Sequence, residues 1–196
     1  MPGDISKHTK YVDSKPYPEP KVECENVFYA NLLLQDYAGM VSEFTAVSLY
    51  SFQHIVSDKE YKDYAELIGG ISIVEMKHLE LLGETIKLLG RKPAFISCSC
   101  NEWEYWKASH VDYSDNILDM LRADIRAESE AIENYNKHLE MIGDKYIRKL
   151  LDRIIIDEKL HLKLFQNMYN KYLMKEKKKE EEKIRRQKAK NIKIKS

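Results

Sequence analysis

Two short patterns in this sequence have the spacing of metal chemistry. Glu75-x-x-His78 and Glu158-x-x-His161 each place a histidine three positions after a glutamate. Each follows an E-x-x-A-x-x-x-Y pattern, Glu43-Ala46-Tyr50 in the first case and Glu128-Ala131-Tyr135 in the second. The lone Glu precedes the pair by 32 residues in one half and by 30 in the other. Chance supplies roughly 0.6 E-x-x-H matches in a chain of this composition, so one alone would carry nothing. Two, each preceded by the same second pattern, make an internal repeat. Residues three apart on a helix share a face, so each pair presents a carboxylate and an imidazole to one point. A donor set of Glu43, Glu75, His78, Glu128, Glu158 and His161 is rich in oxygen, has two imidazoles and lacks a thiolate. It suits iron or manganese better than structural zinc or an iron–sulfur cluster.

The elements that must position these groups are read from periodicity and punctuation. Four of the five prolines fall in the first 25 residues, which read as an extended arm. Asn26 is then an N-cap, and the pattern predicts one long helix over 27–57. Ser57 and Glu60 have the capping-box spacing for a second helix ending at Gly90, with almost no link between the two. A third helix begins after Ser114 and a fourth after Asp144, with Gly143 at the turn. The 90–114 stretch, with Pro93, Trp103, Tyr105 and Trp106, is too long for an ordinary bundle turn and long enough to run the length of a helix. The expected fold is therefore all-α, a ferritin-like four-helix bundle with one long crossover between helices 2 and 3. Residues 1–25 form its arm, 26–173 the bundle and 174–196 a basic charged tail. Glu43 lies 14 residues before the Ser57 turn and Glu75 lies 18 after it, while Glu128 lies 16 before Asp144 and Glu158 lies 14 after it. At about 1.5 Å per residue all six groups reach one level of the bundle.

The neighbouring residues give the direction. Glu43 shares a stripe with Met40, Ala46, Val47 and Tyr50; Glu75 with Ile71, Leu79 and Leu82; Glu158 with Ile154, Ile155, Leu162 and Phe165. These stripes face a core. Four ionised carboxylates there would each cost several kcal/mol unless neutralised, and two divalent metal ions (Mn or Fe) supply the four positive charges. Asp124, one turn before Glu128 on the same face, is placed to hold His78 through its second ring nitrogen, the alternative being a capping or surface Asp. Tyr50 and Tyr135 are expected beside the ligands, as packing residues with a satisfied hydroxyl rather than redox participants. His54 is expected in solvent.

Composition narrows the class. Of 196 residues, 43% are apolar and 33% charged, with 7 Gly, which fits a soluble protein of long regular elements. The zero net charge hides an asymmetry: Met174 to Ser196 holds 11 basic and 4 acidic residues, against 21 and 28 before it. Glu181 with Arg185 and Glu182 with Arg186 are favourably ordered i,i+4 pairs, so a solvated helical extension is expected. The tail has no aromatic side chain to stack on a base, which argues against a nucleic-acid partner. No apolar run is long enough for a membrane span, and Met1-Pro2-Gly3-Asp4 has no signal pattern, so a cytoplasmic protein is expected. Cys24, Cys98 and Cys100 read as free thiols. The apolar stripes can also dock subunits, and a homo-oligomer is expected.

With these residues in view, the chain resembles the ferritin-like di-metal proteins, a group that includes rubrerythrins, bacterioferritins and manganese catalases. The match spans roughly Val22 to Tyr172. The stretch Ala30 to Gly39 and Trp106-Lys107-Ala108-Ser109 look most like manganese catalases and related spore-coat proteins. Rubrerythrins usually carry a further Glu at the position of Ala131 and a rubredoxin domain with paired Cys-x-x-Cys motifs, whereas this chain closes on its charged tail. The resemblance implies that Glu75 bridges two metals, that Glu43 and Glu128 are terminal ligands, and that His78 and His161 each bind one ion. It implies either a bridging role for Glu158 or, as in manganese catalases, the role of catalytic proton acceptor. The implied activity is catalase-like redox chemistry on hydrogen peroxide. A rubrerythrin-like peroxidase, a dioxygen-using ferroxidase or iron-binding protein, and a coat-type structural protein with a vestigial site are the alternatives.

Overall fold

The computed structural model describes residues 10–99 and 102–194. Its elements are α1 (Val27–Ala38), α2 (Glu43–Ser57), α3 (Lys62–Leu88), β1 (Ile96–Ser99), β2 (Glu102–Tyr105), a 3-10 turn at Ala108–His110, α4 (Ile117–Met141) and α5 (Lys145–Ile194). The single helix expected over 27–57 is thus two. Gly39 ends α1 by donating its N–H to Gln35 O, and a Cβ there would stand 2.5 Å from that oxygen. Ser42 restarts the helix: its Oγ accepts from Thr45 N at 3.2 Å and donates to Gly39 O at 2.8 Å. The apolar period runs through this break, which is why it reads as continuous.

The Ser57–Glu60 capping box does not form. Ser57 closes α2, and α3 starts after Tyr61 with no side-chain cap. At the other predicted boundaries, Asn116 Oδ1 accepts from the N–H groups of Leu118 and Asp119, and Asp144 Oδ1 from Tyr146 and Ile147. Gly90, at φ 90°, ends the α3 turn in the left-handed region.

Long-range hydrogen bonds set the helix directions. Asn26 N donates to Leu89 O, and Gly143 N to Tyr29 OH, so the start of α1 and the ends of α3 and α4 share one end of the bundle. At the opposite end, Tyr64 of α3 donates to Asp124 of α4, and Tyr172 of α5 donates to Asp63 of α3. Helices α3 and α4 therefore run parallel, joined by the crossover, while α2 and α5 run antiparallel to them. The crossover carries structure that its sequence did not announce. Strands β1 and β2 form an antiparallel hairpin that pairs Cys98 with Trp103. It docks on the α1–α2 break: Phe95 stacks on Phe44 and Tyr37, Trp106 Nε1 donates to Thr45 Oγ1 at 2.9 Å, and Gln35 Nε2 donates to Cys98 O. Cys24 and Cys98 are free, and Cys100 lies outside the described residues.

Two apolar clusters fill the bundle. One gathers Leu33, Leu34, Ile86, Leu151 and Ile154; the other gathers Tyr64, Ile68, Ile71, Met120 and Phe165. Along α3 and along α5, the residues between these clusters are the E-x-x-H pairs, so the polar layer lies between two dry ones. Helix α5 runs past Met174 to Ile194 without a break, exposed from Met174 through Lys188. Among the described residues, no helix is long and apolar enough to cross a membrane.

Candidate metal centre

Helices α2, α3, α4 and α5 bring Glu43, Glu75, His78, Glu128, Glu158 and His161 together, and none is more than 4% exposed. Their donor atoms fall into two groups, Glu43–Glu75–His78–Glu158 and Glu75–Glu128–Glu158–His161, each with its atoms within 4.8 Å of one another. Glu75 and Glu158 belong to both. His78 Nδ1 lies 2.9 Å from Glu75 Oε2, 3.1 Å from Glu158 Oε1 and 3.6 Å from Glu43 Oε2. His161 Nδ1 lies 2.8 Å from Glu75 Oε1, 3.3 Å from Glu158 Oε2 and 3.9 Å from Glu128 Oε2.

The repeat explains the terminal carboxylates. Tyr50 of α2 donates to Glu128 Oε1 at 2.5 Å, and Tyr135 of α4 donates to Glu43 Oε1. In each half the Tyr lies seven residues after its Glu. Because α2 and α4 are antiparallel, each Tyr lies level with the other helix's Glu. Both hydroxyls are satisfied, as expected for buried tyrosines.

The outer ring nitrogens meet groups that the sequence did not single out. His78 Nε2 is 3.2 Å from both Asp157 Oδ2 and Tyr17 OH, and Tyr17 donates to the same Asp157 oxygen. His161 Nε2 donates to Tyr11 O at 2.8 Å. With the Nε2 protons so engaged, Nδ1 of both rings faces the carboxylates and is the nitrogen whose lone pair a metal ion would take up on loss of the Nδ1 proton. The carboxylate on His78 is thus Asp157 and not Asp124, which accepts from Tyr64 at 2.8 Å in the lower apolar cluster. Asp124 does share the face of Glu128, but that face meets α3 a turn below the centre. His54 is exposed, with Nδ1 donating to Ala65 O.

Electrostatics describe a place made for cations. Burial, together with the charges of Glu158 and Glu75, pushes the carboxyls of Glu43 and Glu128 well above the usual range. Burial also acts to raise Glu75 and Glu158, but the imidazoles outweigh it and hold both down. His161 is pushed up to about 10 by Glu75 and Glu158 against the opposing effect of burial. Protons and imidazolium charges thus balance the site in the metal-free chain, at positions that two divalent cations would take over. Glu75 Oε1 and Glu158 Oε1 are buried and accept no hydrogen bond, although each lies within 3.1 Å of an imidazole nitrogen. Buried carboxylate oxygens without a well-directed hydrogen bond, beside two Nδ1 atoms that a cation would deprotonate, fit a metal ion.

A cavity of about 270 Å³ opens onto this cluster between α2 and α4. It is lined by all four glutamates, Ala46, Ala131, Tyr50 and Tyr135, with Arg126, His110 and Asp112 also in its wall, and by neither histidine.

Comparison with known proteins agrees with this geometry. A family model described as Rubrerythrin matches residues 37–169. The chain is 30% identical over 173 residues to the probable manganese catalase of Clostridium acetobutylicum, covering 77% of this chain and 74% of that one. It is 29% identical over 130 residues to a bacterioferritin of Desulfovibrio desulfuricans, covering 64% and 67%. Among solved structures, KatB, a manganese catalase from Anabaena PCC7120, superposes with a TM-score of 0.74 at 22% identity, covering 82% of this chain and 79% of that one. The D. desulfuricans bacterioferritin structure gives 0.63 at 26% identity, covering 74% and 79%. Two E-x-x-H helices, two lone glutamates and a family match over most of the chain lead to one assignment: this protein belongs to the rubrerythrin family, in the ferritin-like fold.

Proposed function

We propose that the chain is a di-metal oxidoreductase that disproportionates hydrogen peroxide. The observation that carries this reading is the pair of donor groups sharing Glu75 and Glu158 and opening on a small cavity. Glu43, Glu75, His78, Glu128, Glu158 and His161 would hold two manganese or iron ions, which when bound supply a reversible two-electron couple. The chain's own residues do the rest. The cavity admits a molecule of peroxide size to the carboxylate side. Tyr50 and Tyr135 fix one oxygen each of Glu128 and Glu43, leaving the other oxygen for metal. Glu158, charged and facing the cavity, would take one of the two protons that peroxide loses on oxidation, the other passing to water in the cavity, and both return when the second peroxide is reduced to two waters. Over a full cycle one peroxide is oxidised to dioxygen and a second is reduced to two waters, so no other electron donor is needed. Similarity to the probable manganese catalase supports this choice, as does Ala131, which puts a methyl group in the cavity wall where a rubrerythrin would have a further carboxylate.

A second reading, ferroxidase or iron binding, draws on one part of the same geometry. Glu158 lies in both donor groups, the bridging arrangement that the resemblance associates with bacterioferritins rather than manganese catalases. Elemental analysis of protein purified without added metal, paired with a peroxide-dependent oxygen assay, decides between them. The expected result is two Mn or Fe per chain and oxygen release without reductant, lost in His78→Ala and His161→Ala. Peroxide consumption that needs an added donor and releases no oxygen would move the protein to the peroxidases. Ferrous oxidation without oxygen release would make it a ferroxidase.

A further inference from the structure

The N-terminal arm is tied to the metal centre by contacts that packing alone does not require. Four backbone groups of residues 11–15 and the side chain of Tyr17 are bound by polar groups of α5. Tyr11 O accepts from His161 Nε2 at 2.8 Å, and Asp13 N donates to Asp157 Oδ1 at 2.7 Å. The guanidinium of Arg153 donates to Lys15 O at 2.8 Å and to Asp13 O at 2.9 Å, while its third nitrogen pairs with Asp157 at 2.7 Å. Tyr17 lies under that guanidinium, 4.2 Å from ring centroid to charge, and its hydroxyl reaches both Asp157 and His78. Arg153, 4% exposed, is thus a fork that grips the bent backbone of residues 13–15.

An independent feature of α3 points the same way. Gly70 lies in mid-helix, where glycine is the least favourable residue after proline. A Cβ at that position would stand 2.0 Å from the Tyr11 ring. The helix gives up propensity exactly where the arm's first aromatic ring must seat, one level below the donor groups.

We infer that residues 11–17 are a wall of the metal centre, with Tyr11 O positioning His161 and Tyr17 positioning the Asp157–His78 pair, and with Gly70 and Arg153 seating the arm. This inference rests on the reading of the six residues as metal ligands. The arm acts through the two histidines, so Tyr11, Tyr17, Gly70 and Arg153 are positioning residues. Displacing it frees the Nε2 side of each ring, exposes it to water and lets Nδ1 turn away from the carboxylates. The two attachments are separable: Gly70 bears on His161 through Tyr11, and Arg153 bears on His78 through Asp157 and Tyr17.

The test uses the full chain and Mn(II) as the probe, with free Mn(II) followed by electron paramagnetic resonance and the arm followed by hydrogen exchange. Wild type should take two Mn(II) per chain and give the signal of a coupled pair, with the amides of residues 11–17 protected. Gly70→Ala and Arg153→Gln should each keep their helix content, lose arm protection and weaken one of the two ions by about 10- to 100-fold. The coupled signal should then give way to that of isolated Mn(II). Tyr11→Ala combined with Gly70→Ala removes the clash while keeping the carbonyl, and should recover affinity relative to Gly70→Ala alone. Variants that release the arm yet bind both ions as wild type does would overturn the inference alone. Wild type holding fewer than two Mn(II) would overturn the ligand reading and the inference with it.

Discussion

Between α2 and α4 the candidate centre faces a cavity of about 270 Å³, whereas on the α3–α5 side it faces the packed N-terminal arm. The hollow side shows carboxylates and small side chains such as Ala46 and Ala131; the filled side shows imidazoles backed by Asp157, Tyr17 and the Tyr11 carbonyl. Carboxylates can change the oxygen they offer as a guest arrives, but an imidazole has one donor atom per tautomer and must be held. On the proposed reading, the division would assign exchange with solvent and retention of metal to opposite faces of one polar layer.

The largest effect should come from the residues common to both donor groups. Glu75→Gln should leave fewer than two ions per chain by elemental analysis. It should also abolish most of the rise in melting temperature that metal gives the wild type, which linkage puts at about 4 kcal/mol for free metal at a thousand times its Kd. Two tightly held ions in that variant would break the division, because Glu75 would then not be shared.

The hollow side is sharpened by filling it. Ala131→Leu adds three carbons to the cavity wall without touching a donor atom. It should retain both ions while lowering the rate of peroxide decomposition by about 10-fold or more, measured as oxygen release at fixed metal content. Loss of metal instead would mean that the cavity wall also holds the ligands.

A buried carboxyl with no imidazole beside it gives the contrast in its simplest form. Asp124 is fully buried, and desolvation pushes its carboxyl up to about 8. Its folded value lies above the unfolded one, so the neutral acid costs nothing below pH 4, and stability is lost as pH rises toward 8. Asp124→Asn, which can still accept from Tyr64, should be more stable than wild type by about 4 kcal/mol at pH 7 and by little at pH 4, as read from urea unfolding. A gain that does not depend on pH would mean that the site is solvated. At the low end, removing residues after Met174 should change melting temperature and metal content by less than the error of measurement, since the helix is exposed from Met174 through Lys188.

How much of this was legible in the sequence follows from the range over which each signal acts. Spacing within a helix gives faces, so the two E-x-x-H pairs, Tyr50 and Tyr135 could be assigned to a core-facing stripe without a structure. The long crossover could be read from its length alone. Spacing does not say which neighbour a face meets. Asp124 and Asp157 both lie beside a glutamate of the set, and only packing sends the first to Tyr64 and the second to His78. The partner of His161 is a backbone carbonyl 150 residues away, for which no side-chain pattern exists. Gly70 was its one trace, and a glycine inside an otherwise periodic helix is a weak sign. The α1–α2 break was hidden by an apolar period that continues across Gly39 and Ser42. The β1–β2 hairpin was hidden because strands of four residues leave too little alternation to count. Asp36 and His138, buried and paired at 2.6 Å, likewise come from separate helices with no shared spacing.

The measurement that bears most directly on the central claim is anomalous diffraction from crystals of the metal-loaded protein, recorded on both sides of the manganese and iron edges. Two peaks within about 4 Å of each other, both contacted by Glu75 and Glu158, with His78 Nδ1 on one and His161 Nδ1 on the other, is the predicted result. A single peak, or two peaks that share neither glutamate, would contradict it.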